Sequence, residues 1–122
     1  MAKKKILLIE DEEFIIRPLE IILKKEDFDL VIAKDGEDGL LKIKNEKPDL
    51  VLLDIVLPKM NGFEVLEKFK KERDLKDIPV IILSNLAREG EVERGLSLGA
   101  KDYFVKTNFS LFNLIRKIKN YL

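Results

Sequence analysis

The chain has 122 residues, 46% of them hydrophobic, and its 23 Lys and Arg balance its 23 Asp and Glu. That length suits one domain with one compact core, and zero net charge supplies no whole-molecule field for nucleic acid. Cysteine and histidine are both absent, which excludes disulfides, thiolate or imidazole catalysis and the usual zinc ligands.

The N-terminal MAKKK is basic, but only ILLI follows before Glu10, too short for a signal peptide or a membrane span. A cytoplasmic protein is expected. Five apolar runs follow in chain order: KILLI (5–9), DLVIA (29–33), DLVLL (49–53), PVIIL (79–83) and DYFV (102–105). They are rich in β-branched residues and mostly lack period-2 alternation, the pattern of strands buried on both faces of a parallel sheet. The segments between them, Glu13 to Lys25, Glu37 to Lys47, Gly62 to Arg73, Ala87 to Leu98 and Ser110 to Leu122, carry apolar residues at helical spacing. Pro18 falls inside the first of these, where its missing N–H predicts a kink or a late helix start.

Five βα units with right-handed crossovers predict an α/β fold, a doubly wound five-stranded parallel sheet of order 2-1-3-4-5 and flavodoxin-like (βα)5 topology, as a single domain over residues 1–122. In that order the carboxyl ends of strands one, three, four and five face one crevice. Reading off those ends places Glu10 and Asp11, Asp54, Ser84 and Lys106 together.

Taken singly, each has an ordinary explanation. Asp11 suits a helix N-cap, with Glu10, Glu12 and Glu13 favouring the same helix end. Asp54 suits a turn cap, Ser84 a cap of the fourth helix, and Lys106 a solvated surface position. Jointly these explanations fail. Two carboxylates about 5 Å apart repel by roughly 3 kcal/mol at an effective dielectric near 20, and one lysine does not offset three acids. A hard divalent cation does, and carboxylates with a backbone carbonyl and waters suit Mg2+. A carboxylate beside Mg2+, an ammonium and a hydroxyl is suited to attack a phosphoryl group and form an acyl phosphate, with Asp54 as nucleophile and Glu10 and Asp11 serving the metal.

The acidic pair in LLIEDEE, the segment LLDIVLPKMNG, Ser84 in VIILSN and Lys106 in GAKDYFVK together resemble the receiver domains of two-component response regulators, a family that includes single-domain chemotaxis regulators. The resemblance spans essentially the whole chain. It implies that Asp54 is the phosphoacceptor, that Asp11, Asp54 and the carbonyl of Val56 bind Mg2+ directly with Glu10 acting through water, and that Lys106 contacts the phosphoryl group. It further implies that Ser84 moves towards that group, that Tyr103 swings inward, and that a histidine kinase or phosphotransfer protein is the donor. The protein would then be no enzyme towards external substrates, catalysing only phosphotransfer to its own Asp54 and slow self-dephosphorylation. The fourth helix, fifth strand and fifth helix would form the output surface, with Gly90 and Gly95 as interior glycines that ease movement of the fourth helix.

Three departures from the family pattern carry expectations. Thr107 stands where a cis-proline is common, which puts the loop after Lys106 in question. Asn85 replaces a small residue, with access to Asp54 or an added hydrogen bond at stake. Val56 and Leu86, at positions that tune autodephosphorylation, are apolar and predict a long-lived phosphoform.

Competing readings are weaker. A haloacid-dehalogenase-type phosphatase needs a second acid two residues after Asp54, where Val56 stands, and neither GxxxxGK[ST] nor GxGxxG occurs. The remaining rival is a binding module that associates without phosphorylation. Output is expected through another protein, through a homodimer, or through a domain outside these residues, with no direct nucleic-acid or membrane binding by the chain itself.

Overall fold

The computed structural model describes residues 3–86 and 88–122. Its elements run in strict alternation: β1 (Lys5–Ile9), α1 (Glu13–Lys25), β2 (Asp29–Ala33), α2 (Gly36–Glu46), β3 (Leu50–Leu53), α3 (Gly62–Lys70), β4 (Val80–Ser84), α4 (Glu89–Ser97), β5 (Asp102–Val105) and α5 (Leu111–Tyr121). All strand pairs are parallel, in the order β2-β1-β3-β4-β5.

The uninterrupted apolar runs are explained by burial on both faces. Leu7, Ile9, Val51, Leu53, Val80 and Ile82 point into a core shared with Ile43 of α2 and with Phe63, Val65, Leu66 and Phe69 of α3. Their neighbours Ile6, Leu8, Leu50, Leu52, Ile81 and Leu83 point into the opposite core, against Ile16, Leu19 and Leu23 of α1 and Leu114, Ile115 and Ile118 of α5. Successive residues of a strand face opposite sides, so a strand covered on both must be apolar throughout.

Several boundaries differ from the sequence reading. Pro18 causes no late start, because α1 already begins at Glu13. Pro18 lies on the exposed side of the helix, where water can replace the donor it removes from the Phe14 carbonyl. The third helix ends at Lys70 rather than Arg73, and turns occupy the residues before β4. The fourth begins at Glu89, with Arg88 as N-cap; the expected start at Ala87 lies outside the described residues. Gly90 therefore sits in the first turn of α4, and only Gly95 is interior. No helix of the described residues is long and apolar enough to cross a membrane.

Candidate functional site

The parallel register assembles the site. Ile9 pairs with Leu53, so the next residues, Glu10 and Asp54, emerge side by side, and the Asp54 N–H donates to the Ile9 carbonyl at 3.0 Å. At the other side Ser84 pairs with Val105, and the following Lys106 N–H donates to the Ser84 carbonyl at 3.1 Å. Where each strand stops, the chain turns its next side chain into the crevice. Gly62 closes the floor: a Cβ there would lie 2.2 Å from the Asp54 carbonyl oxygen, so no larger residue fits beneath the β3–α3 loop.

Lys106 is the hub. Its Nζ donates to Asp54 Oδ2 at 2.8 Å, Glu12 Oε1 at 2.8 Å and Glu10 Oε2 at 3.0 Å, which uses all three ammonium hydrogens. Burial works to lower its pKa, but the hydrogen bonds to Asp54, Glu10 and Glu12 outweigh that and hold it above the ordinary lysine range. Glu10 shows the opposite imbalance. Burial first, then the Asp54 charge, push its carboxyl up to about 7 against the pull of Lys106. Its Oε1 is buried without a well-aligned hydrogen bond, although Lys106 Nζ lies 2.8 Å away.

Asp54 is 2% exposed and serves two purposes at once. Its Oδ1 accepts from the Ile55 N–H at 2.7 Å and the Val56 N–H at 3.4 Å, the turn-capping role, while Oδ2 faces Lys106. The ordinary explanations for the other residues do not hold. Lys106 is buried rather than solvated. Ser84, fully buried, does not cap α4; its Oγ accepts from the Leu86 N–H at 3.2 Å. The N-cap of α1 is Glu12, not Asp11, and it makes no side-chain cap bond.

Oxygens of Glu10, Asp11, Glu12 and Asp54 all lie within 4.8 Å of one another, with Asp11 exposed. Four carboxylates against one ammonium, with a buried oxygen lacking a donor, fit a hard divalent cation. Glu12 was missed from sequence as a site residue because its place at a helix start already explained it. The signal available was its adjacency to Glu10 and Asp11 in the run EDEE. Glu13, by contrast, does stay outside, paired with Lys34.

Tyr103 is half-buried, and its hydroxyl donates to the Leu86 carbonyl. Burial, followed by the nearby Glu91 charge, raises its pKa. Leu86 is thus tied through its N–H to Ser84 and through its carbonyl to Tyr103. The Val56 side chain is 64% exposed, and Asn85 is also exposed. The peptide bond between Lys106 and Thr107 is trans, so the loop is built without the family's cis bond.

Residues 6–119 match the family model for the response regulator receiver domain. The chain belongs to that family. It is 40% identical over 103 residues to the alkaline phosphatase synthesis transcriptional regulatory protein PhoP of Bacillus subtilis, an alignment covering 84% of this chain and 42% of that protein. The receiver thus spans about half the length, or less, of the curated relatives it matches. A CheY-like response regulator receiver domain protein from Methanospirillum hungatei superposes with a TM-score of 0.89 at 34% identity, covering 98% of this chain and 93% of that one. The receiver domain of the sensor histidine kinase PA1611 of Pseudomonas aeruginosa, crystallised with a magnesium ion in its active-site cleft, superposes with a TM-score of 0.88 at 25% identity, covering 98% of each chain. This chain is a receiver domain of two-component response regulators, with an acidic pocket of the kind that goes with Mg2+ and aspartate phosphorylation.

Proposed function

We propose that residues 1–122 act as one phosphoacceptor unit in which Asp54 takes a phosphoryl group from the phosphohistidine of a histidine kinase or a phosphotransfer protein. The observation that carries this is the Lys106 side chain, 3% exposed, with its ammonium 2.8 Å from the buried Asp54 carboxylate. An Asp54 oxygen forms a bond to phosphorus as the P–N bond of the donor breaks, its electron pair passing to the departing imidazole nitrogen. Lys106 shifts a hydrogen bond onto a phosphoryl oxygen, and Ser84 donates to another. Asp11, Asp54 and the Val56 carbonyl would hold Mg2+, with Glu10 reaching it through water. The ion supplies positive charge against the carboxylates and the equatorial oxygens of the transferring group.

Phosphorylation adds about −1.5 to −2 charges and three acceptors at Asp54. Drawing Ser84 Oγ towards them breaks its bond to the Leu86 N–H. The Leu86 carbonyl then shifts from the Tyr103 hydroxyl, Tyr103 turns inward, and the α4–β5–α5 face changes shape for a protein target or a second copy. Val56 and Leu86 offer no side chain to orient a hydrolytic water, so loss of phosphate is slow. The domain works in the cytoplasm and turns over no external substrate.

Incubation with acetyl phosphate and Mg2+ should raise the intact mass by one phosphoryl group, and Asp54→Ala should abolish the increase. The phosphoform should then decay slowly in purified protein with Mg2+. No increase under several donors would favour the binding-module reading. A second reading of output follows from the Bacillus subtilis relative, named as a transcriptional regulatory protein and about twice as long: within a longer protein, the receiver would govern a further region that acts on transcription.

A further inference from the structure

Glu12 belongs to the acidic cluster but has no part in the phosphoryl transfer proposed above, yet its Oε1 lies 2.8 Å from Lys106 Nζ, across 94 residues of sequence. It occupies the N-cap position of α1 without capping it, so helix formation does not account for where the side chain goes. We infer that Glu12 is a positioning residue: it anchors the Lys106 ammonium over Asp54 in the resting receiver and is the partner that ammonium releases when a phosphoryl group arrives. The inference rests on the proposed role of Lys106 at the phosphoryl group.

The argument is one of counting and of access. An ammonium has three hydrogens, and all three are taken by Glu10, Glu12 and Asp54. To donate to a phosphoryl oxygen, Lys106 must give up at least one of these bonds. The Asp54 bond points at the reacting group itself. Glu10 is 1% exposed, with the ammonium 2.8 Å from its Oε1 and 3.0 Å from its Oε2, and losing Lys106 would leave a buried carboxylate with no cationic partner. Glu12 is different, since its side chain is 35% exposed and water can solvate its carboxylate as it leaves. Of the three bonds, this one breaks at least cost.

The anchor also opposes the reaction, because it occupies a hydrogen the incoming group needs and adds an anion beside an anionic donor. Glu12→Gln weakens the bond and removes the charge, whereas Glu12→Asp keeps the charge but is one methylene short of Lys106. In 15N-lysine-labelled protein without metal, Lys106→Arg identifies the Lys106 ammonium resonance by its loss. Hydrogen exchange of that ammonium should be about fivefold faster or more in both Glu12 variants, since a charge-assisted bond is lost or weakened. With saturating Mg2+ and acetyl phosphate, Glu12→Gln should take up phosphate about threefold faster than wild type, the size expected of one partly exposed ion pair. Thermal unfolding midpoints should match, which separates anchoring from a structural role.

Unchanged ammonium exchange in Glu12→Gln, slower phosphorylation in that variant, or wild-type exchange in Glu12→Asp would each overturn the inference. If wild-type protein takes up no phosphate, the proposed phosphoacceptor function fails on its own, and the metal-free exchange still decides whether Glu12 holds Lys106.

Discussion

The third and fourth helices are each nine residues long and follow neighbouring strands, yet they are built in opposite ways. Helix α3 buries Gly62, Phe63, Val65, Leu66 and Phe69, and its N-cap Asn61 accepts from the Glu64 N–H while its amide donates to the Glu64 carboxylate. Helix α4 buries only Gly95, and its N-cap Arg88 makes no cap bond. Its contact with α3 includes the Arg94 guanidinium 4.4 Å from the centre of the Phe63 ring, worth about 0.5–1 kcal/mol at such a site. One helix is a fixed wall behind the Asp54 loop. The other rests on the sheet with little to hold it, the pattern of a region of low local stability.

The sharpest test of that contrast is truncation of one large apolar residue on each helix. Phe69→Ala should cost about 3–5 kcal/mol in urea unfolding, the usual loss for a fully buried phenylalanine. Leu96→Ala, at a side chain 44% exposed, should change stability by less than about 0.5 kcal/mol. Similar losses at the two positions would break the comparison.

Next in size is the dependence on pH between about 5 and 8, which the strand-end acids supply. The Glu10 carboxyl keeps its proton to about pH 7 in the folded state, against 4.5 as its ordinary value. An acid raised on folding stabilises the fold below its ordinary pKa, and that contribution is lost as pH rises through the folded value. Lys106, raised above its ordinary value of 10.5, contributes a constant amount over this range. Metal-free protein should therefore unfold at lower urea at pH 8 than at pH 5. Millimolar Mg2+ should shrink the difference by stabilising the charged carboxylates, and Glu10→Gln should flatten the profile.

The two glycines of α4 divide the helix itself. A Cβ at Gly95 would lie 2.6 Å from Ile82 Cδ1 and 3.3 Å from the Tyr103 ring, whereas at Gly90 nothing lies within 4 Å. Gly95→Ala should cost about 1–3 kcal/mol through overpacking, reduced by the gain in helix propensity. Gly90→Ala should stabilise by roughly 0.5–1 kcal/mol. Both are read from the same urea curves, and a destabilising Gly90→Ala would mean that α4 is more tightly seated than described. Of similar size is Asn61→Ala, expected to cost about 1 kcal/mol through the lost cap, with no counterpart at Arg88.

Much of this was legible in the chain because it depends on near neighbours. The apolar runs predict all five strands to within a residue at each end, since burial on two faces writes a continuous pattern. Helix ends were read less well: Arg73 and Gly90 look helical or interior by spacing, but where a helix stops depends on caps and on what the next segment packs against. The convergence of Glu10, Asp11, Asp54, Ser84 and Lys106 also follows from sequence, because strand order and strand ends together dictate one crevice.

The sequence by itself determined the five βα units, the parallel sheet and the acids at its carboxyl edge, for these follow from alternation, length and chirality over short spans. Tertiary structure alone decided that Glu12 reaches Lys106, that Leu86 ties Ser84 to Tyr103, and that Gly95 is pressed against Ile82 while Gly90 is not. Those contacts join segments far apart in the chain, and side-chain reach across a packed crevice is a matter of ångströms that no local pattern records.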